Sequence, residues 1–283
     1  MYKELIKPAL LLAAGFMFAM TSCGNGDAEK AEGLLSQAQS NFDNGNYTEC
    51  MTLIDSVKKT YPSAVEIQRQ GMHLRTLADE KMTEEKIKEN DIAFAQAQEE
   101  VDKYKNDFVF VKEKDMIEGY IVHRKAKASP LVNRTGIEAR IEEKLSLYIV
   151  SLLNGPKVEH THLTINLGNT YCSTDTVAYN GSSNYRFTSG GVSNETVTFR
   201  GKNSAEFCQF ITDNKNANLK LNFKGKRKHT VTLSAKDKQI LSETGIYAKA
   251  LQKRRDTENM NKYLEARLQV TRNQIAKTAQ TAK

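Results

Sequence analysis

Four kinds of hydrophobic pattern follow one another along the chain. Ala9 to Met20 is an unbroken apolar run. From Ala28 to Tyr61 the apolar residues recur every three or four positions. Leu34, Leu35, Ala38 and Phe42 form one set, and Met51, Ile54, Val57 and Tyr61 form a second beyond Gly45 and Asn46. That period puts each set on one side of a helix, so two amphipathic helices are expected, the second stopped by Pro62. Ser63 and Glu66 have the spacing of a capping box and predict a third helix. Over 80–107 the repeat lengthens to seven, with Ile87, Phe94, Val101 and Phe108 in register and Ala97 and Tyr104 between them. This is a coiled-coil seam, interrupted at Asn90. Ser234 to Asp237 is a second capping-box-like start, for a helix carrying Leu241, Tyr247, Leu251, Leu264, Leu268 and Ile275.

Between these helices the period drops to two. Gly119 to His123 and Ile137 to Leu153 are rich in β-branched and aromatic residues. From Val158 to Leu167, Leu163, Ile165 and Leu167 share one face, with His160, His162, Thr164 and Asn166 on the other. Val197 and Phe199, Leu219, Leu221 and Phe223, and Val231 and Leu233 repeat the alternation, and His229 is in phase with Val231. One apolar and one polar face predicts antiparallel strands, with hairpin turns at Asn180-Gly181 and Gly190-Gly191. Ala205 to Ile211 reads as a short helix on the sheet. The fold class expected is α+β: a helical hairpin, an antiparallel coiled-coil stalk of residues ~65–107 and ~235–280, and a sandwich-like or barrel-like β head between its arms.

Charge supports the pairing of the arms. Residues 80–107 carry nine Asp/Glu against five Lys, and residues 246–283 carry nine Lys/Arg against three Asp/Glu. The two helices complement each other, although an exposed pair contributes only ~0.2–1 kcal/mol. The 283 residues, with a formal charge of +7, four Pro and four Cys, exclude a collagen-like chain and a disulfide-dense scaffold. A polytopic membrane protein is excluded as well, because only the N-terminal run is apolar enough to enter a bilayer.

That run has the layout of a secretory signal: Lys3 and Lys7, then twelve apolar residues, then Thr21-Ser22-Cys23. At 1.5 Å per residue it spans about 18 Å, short of a ~30 Å hydrocarbon core. Met20-Thr21-Ser22-Cys23 resembles the lipobox of bacterial lipoproteins, with Met20 in place of the usual Leu. The resemblance implies cleavage after residue 22 and acylation of Cys23, which would hold the chain on a membrane. Gly24 at the next position, where Asp marks inner-membrane retention in some bacteria, points to the outer membrane. Residues 23–30 then read as a lipidated tether. Residues 31–64 resemble one tetratricopeptide (TPR) unit through Ala38, Gly45, Tyr47, Cys50, Ile54, Val57 and Pro62; Gln37 and Asn41 depart from it, and a plain helical bundle is the other reading. The full order of segments, 1–22, 23–30, 31–64, 65–107, 108–234 and 235–283, resembles an uncharacterised family of bacterial envelope lipoproteins. That resemblance is architectural and implies no catalytic residues.

Candidate chemistry is sparse. His160 and His162 have the spacing of a metal-binding pair on one strand, though a site needs a third ligand and a solvated strand face is the simpler reading. Among the remaining cysteines, Cys172 and Cys208 share the β-rich region and could pair, while Cys50 fits a buried thiol. Lys224, Lys226, Arg227, Lys228, Lys253, Arg254 and Arg255 are candidates for contact with anionic lipid or glycan. The export signal argues against nucleic acid. No G-x-S-x-G, H-E-x-x-H or phosphate-binding Gly-rich loop is present, so neither an enzyme nor a cofactor is expected. The leading expectation is a lipid-anchored interaction or scaffold protein with an envelope protein partner. The alternative is a glycan- or small-ligand-binding β head, for which the lack of Trp is unfavourable and the 11 Tyr favourable.

Overall fold

The computed structural model describes residues 24–114, 116–131 and 133–281. The expected signal peptide, residues 1–22, and the lipidation site Cys23 lie outside the described residues. Among those described, no helix is long and apolar enough to cross a membrane. The described residues divide into two compact units, residues 24–84 with 268–281 and residues 85–267. The fold is mixed α+β.

The first unit is helical. Helices α1 (Gly24–Asp43) and α2 (Tyr47–Thr60) pack on each other and on the first part of α3 (Val65–Tyr104). Ala38, Cys50, Ile54, Leu74 and Ala78 form the core, with Leu35, Phe42, Tyr47 and Met51 around it. These are largely the positions selected by the helical period, because a 3.6-residue repeat leaves only one side of each helix to bury. Two local expectations are corrected. The 24–27 segment, expected as irregular chain, is helical and belongs to α1. The capping box at Ser63 does not form, because the helix begins one residue later than that spacing requires. Glu66 instead accepts hydrogen bonds from Arg69 and Gln70.

In the same unit the end of α6 (Ala235–Thr281) lies antiparallel to α3. Arg272 donates to Glu80 and Glu84 at 2.8 and 2.9 Å, and Thr271 donates to Asp79. Thr278 hydrogen-bonds to His73.

The described residues of the second unit hold ten strands: β1 (Phe108–Val111), β2 (Tyr120–His123), β3 (Gly136–Glu142), β4 (Leu147–Gly155), β5 (His162–Leu167), β6 (Thr170–Ser173), β7 (Asn184–Ser189), β8 (Val192–Phe199), β9 (Lys220–Lys224) and β10 (Lys228–Thr232). Helix α4 (Arg124–Lys127) follows β2, and α5 (Lys202–Asp213) follows β8. Every pairing is antiparallel. Sheet A has the order β1-β2-β3-β4-β8-β7 and sheet B the order β10-β9-β5-β6. Both are open, which removes the barrel expectation. Ile141, Ile149, Val197 and Phe199 of sheet A and Leu163, Ile165, Leu221 and Phe223 of sheet B share one core, completed by Phe207 and Ile211 of α5 and Leu241, Tyr247 and Leu251 of α6.

Arm one is shorter than expected. Helix α3 ends at Tyr104, and Phe108 opens β1 instead of extending the seven-residue series. Asn90 does not simply interrupt that series: its amide donates to the Thr257 carbonyl and to Asn261 Oδ1, both at 2.7 Å. At the start of α6 the serine half of the capping box forms, the Asp237 N–H donating to Ser234 Oγ at 3.1 Å, while Asp237 accepts from the Ser234 hydroxyl and not from its backbone N–H. The β7–β8 hairpin turns through Gly190 and Gly191, both at positive φ, as a two-residue turn requires. Asn180-Gly181 is no hairpin. It lies between strands of different sheets, where Asn180 Oδ1 accepts the N–H groups of Ser182 and Asn184.

Candidate functional site

Strand register gives sheet A a second, outward face. Tyr120 stands opposite Glu142, Arg140 opposite Tyr148, Val150 opposite Thr198, and Thr196 opposite both Leu152 and Tyr185. Their neighbours one residue away fill the core, so the period of two commits these to the other side. With Met116, Glu118, Pro130 and Leu131 from the flanking loops they line a cleft of about 470 Å³.

Four side chains alternate Tyr and Arg across its floor. The Arg140 guanidinium lies 4.3 Å from the Tyr120 ring centre, and that of Arg200 lies 4.9 Å from the Tyr148 ring centre. Such stacking favours the cation over the negative face of the ring. Each arginine is also held by a carboxylate. Arg140 Nε donates to Glu138, and Arg200 Nε donates to Glu142 at 2.8 Å. Lys144 completes Glu142 from its other oxygen at 3.2 Å. Burial works against the Arg140 charge, but Glu138 beside it holds its pKa above the ordinary value. The rings of Tyr185 and Phe187 continue the aromatic surface along β7, parallel within 9°.

A second constellation lies inside the core. Ser151 Oγ is 2.8 Å from His160 Nε2, and His160 Nδ1 is 2.8 Å from Glu195 Oε2. Glu195 also accepts the N–H groups of Val158, Glu159 and His160 at 2.6–2.8 Å. Four donors around one carboxylate leave no acceptor on its side, so Nδ1 carries the proton, and the Ser151 hydroxyl lies within hydrogen-bond distance of both Nε2 and the Val197 carbonyl, at 2.8 and 3.3 Å. Burial opposes the Glu195 charge, yet His160 and the three amides bring its pKa down to about 2. The order is that of a nucleophile, base and acid. All three residues are fully buried, however, and the cleft on sheet A is not lined by any of them. What the array does is pin the loop between β4 and β5, where Glu159 adopts a positive φ of 57°.

This corrects the placement of the two histidines. His160 precedes the strand, points inward and meets the edge of the Phe223 ring at 5.3 Å. Because β5 begins only at His162, the strand alternation that would have put both histidines on one face does not reach back to His160. His162 begins β5 half-buried, and burial, Lys224 and His160 all lower its pKa. The pair does not converge, and no group of three or more His, Cys, Asp or Glu suited to a metal occurs among the described residues.

Cys172 and Cys208 are free thiols, as is Cys50. Burial, with Cys172 adding to it, pushes the Cys208 thiol up to about 12. Because the thiolate is the reacting form, native protein at pH 8 is expected to alkylate Cys208 roughly a thousandfold more slowly than an unfolded control. Mass spectrometry of timed iodoacetamide quenches measures this directly, and comparable rates would contradict the buried placement.

The basic candidates occupy separate elements. Lys224, Lys226, Arg227 and Lys228 surround the β9–β10 turn, where Lys226 pairs with Glu159 at 2.9 Å. Lys253, Arg254 and Arg255 lie on α6, where Arg254 donates to Gln98 and Arg255 to the Lys144 carbonyl. The Tyr120–Arg140–Tyr148–Arg200 row was not singled out from sequence. Its signal was present, as Arg and Tyr in the polar phase of half-buried strands, but register alone brings the four together. Family models, curated proteins and solved structures were all compared with the chain, and none matches.

Proposed function

We propose that this chain is a non-catalytic, lipid-anchored protein of the bacterial outer membrane whose β-rich unit binds a glycan or other small ligand in the cleft over sheet A. The cleft carries the reading: a concave, mixed aromatic and polar surface of about 470 Å³ is of the size and character of small-ligand sites. In this reading the acyl chain is on Cys23, the α3–α6 pairing is a coiled-coil stalk, the sheets form a sandwich-like head and residues 31–64 are a TPR-like base. The exposed Lys228 and Lys253 would meet anionic lipid or glycan. A second reading, a scaffold for an envelope protein partner, is favoured by one observation: Tyr185 and Phe187 extend the aromatic face to the sheet edge at 40% and 51% exposure.

Thr198→Trp fills the cleft floor from a half-buried outward position and tests the first reading. Detergent-solubilised full-length protein on a glycan array should bind a defined set of saccharides, and Thr198→Trp should lose at least tenfold in affinity while keeping its thermal transition. Equal binding by the two proteins would reject the cleft. Cys23→Ala should move the protein from the membrane to the soluble fraction, and retention on the membrane would reject the anchor.

A further inference from the structure

We propose that the cleft recognises a carboxylate-bearing saccharide, with the two terminal amines of Arg200 as the carboxylate clamp. This rests on the ligand-binding reading above and adds the chemistry of what is bound.

Arg200 lies directly after β8, where the strand leaves the sheet, and lines the cleft beside Tyr148, Thr196 and Thr198. Two contacts fix its orientation. Nε donates to Glu142, and the guanidinium face stacks on Tyr148. Glu142 itself is held from its second oxygen by Lys144. What remains is the outer edge of the fork: Nη1 and Nη2 have no hydrogen-bond partner among the described residues, and the side chain is 55% exposed. A planar pair of donors held in place from behind matches the two oxygens of a carboxylate. Because stacking and the Nε bond already restrict the side chain, little rotamer freedom is lost on binding.

The rest of the lining favours a sugar body over a purely apolar one. The Thr196 and Thr198 hydroxyls are half-buried on the floor, and no hydrogen bond within the described residues engages either. Hydroxyl-bearing rings satisfy such groups, whereas an acyl chain laid over them would leave them unpaired. Val150 and Leu152, between those threonines and β3, supply the apolar surface that the C–H faces of a sugar ring need. Glu142, the carboxylate that Arg200 touches, is already matched by Arg200 and Lys144, while Glu118 at the rim of the same cleft has no ion pair among the described residues.

The test uses tetragalacturonate and its methyl ester, which keeps the rings and removes the charge. Titration calorimetry on the full-length protein should show the acid binding at least tenfold more tightly than the ester. Arg200→Gln should weaken the acid by tenfold or more and leave the ester unchanged. Arg200→Lys keeps the charge without the fork, and should recover only part of the loss. Acid and ester binding alike, or Arg200→Gln binding the acid like wild type, would overturn the carboxylate clamp. No binding of the acid would overturn it too. Thr198→Trp separates this from the broader reading. If it abolishes binding of both probes while Arg200→Gln has no effect, the cleft stands and only the clamp is lost. If Thr198→Trp binds both probes like wild type, the cleft reading fails and the clamp goes with it.

Discussion

Replacing Glu195 by Ala is expected to destabilise the β-rich unit by about 3–5 kcal/mol, since it leaves His160 and three buried N–H groups without their acceptor. Glu195→Gln should recover little, because its amide N–H₂ would face donors. The pH dependence follows from the same bonds. The Glu195 carboxyl titrates near 2 in the folded protein against an ordinary value of 4.5. A pKa depressed by folding adds stability that is present above the unfolded value and is lost as pH falls through the folded one. The carboxylate therefore contributes about 3 kcal/mol above pH 4.5, and that contribution disappears progressively between pH 4.5 and 2. Urea melts of wild type and Glu195→Gln from pH 7 to 3 provide the check. The stability difference between them should shrink as pH falls, and a constant difference would show that the carboxylate charge is not what matters.

Gly225→Ala is the second large effect. A Cβ at this position would lie 2.0 Å from the Glu159 carbonyl oxygen and 2.7 Å from the His160 Cα, both backbone atoms. Rotating a side chain cannot relieve that clash, so the β9–β10 turn must move away from the loop it covers. The movement would break the Arg227 N–H bond to the Val158 carbonyl and the Thr161 N–H bond to the Lys224 carbonyl. A loss of about 3–4 kcal/mol is expected, the range for backbone strain together with broken buried hydrogen bonds. Because Gly225 and Glu195 both act on Glu159 and His160, the double variant should lose less than the sum of the two. A denaturant-melt cycle measures the coupling, and strict additivity would mean that the loop is not a shared element.

Periodicity made the helices and most strands legible, since burial of one face is a property of the chain itself. What it could not supply was what happens where a phase breaks. His160 was assigned to a polar face because the alternation was carried back past the start of β5 at His162, into the loop that precedes it. Ser151 and Glu195 did leave a trace, as polar residues in phase with Ile149 and Leu153 and with Val197 and Phe199. A polar side chain at an inward position needs a partner, and these two positions, far apart in sequence, could have been matched. The cleft was less accessible. Arg140 and Arg200 are 60 residues apart, and only the order β3-β4-β8 sets them beside Tyr148.

The pairing of Asn90 with Thr257 joins residues 167 apart. Closing a loop of that length in an unstructured chain costs about 4–5 kcal/mol in entropy before any contact repays it. Helix α6 therefore gains a partner in α3 only once the intervening strands have drawn the ends of the loop together. Contacts of such long range also predict slow folding. On a ribosome the same connectivity has a temporal meaning: α3 emerges well before α6 and must wait, the Asn90 amide unanswered, until the residues around Thr257 have been made.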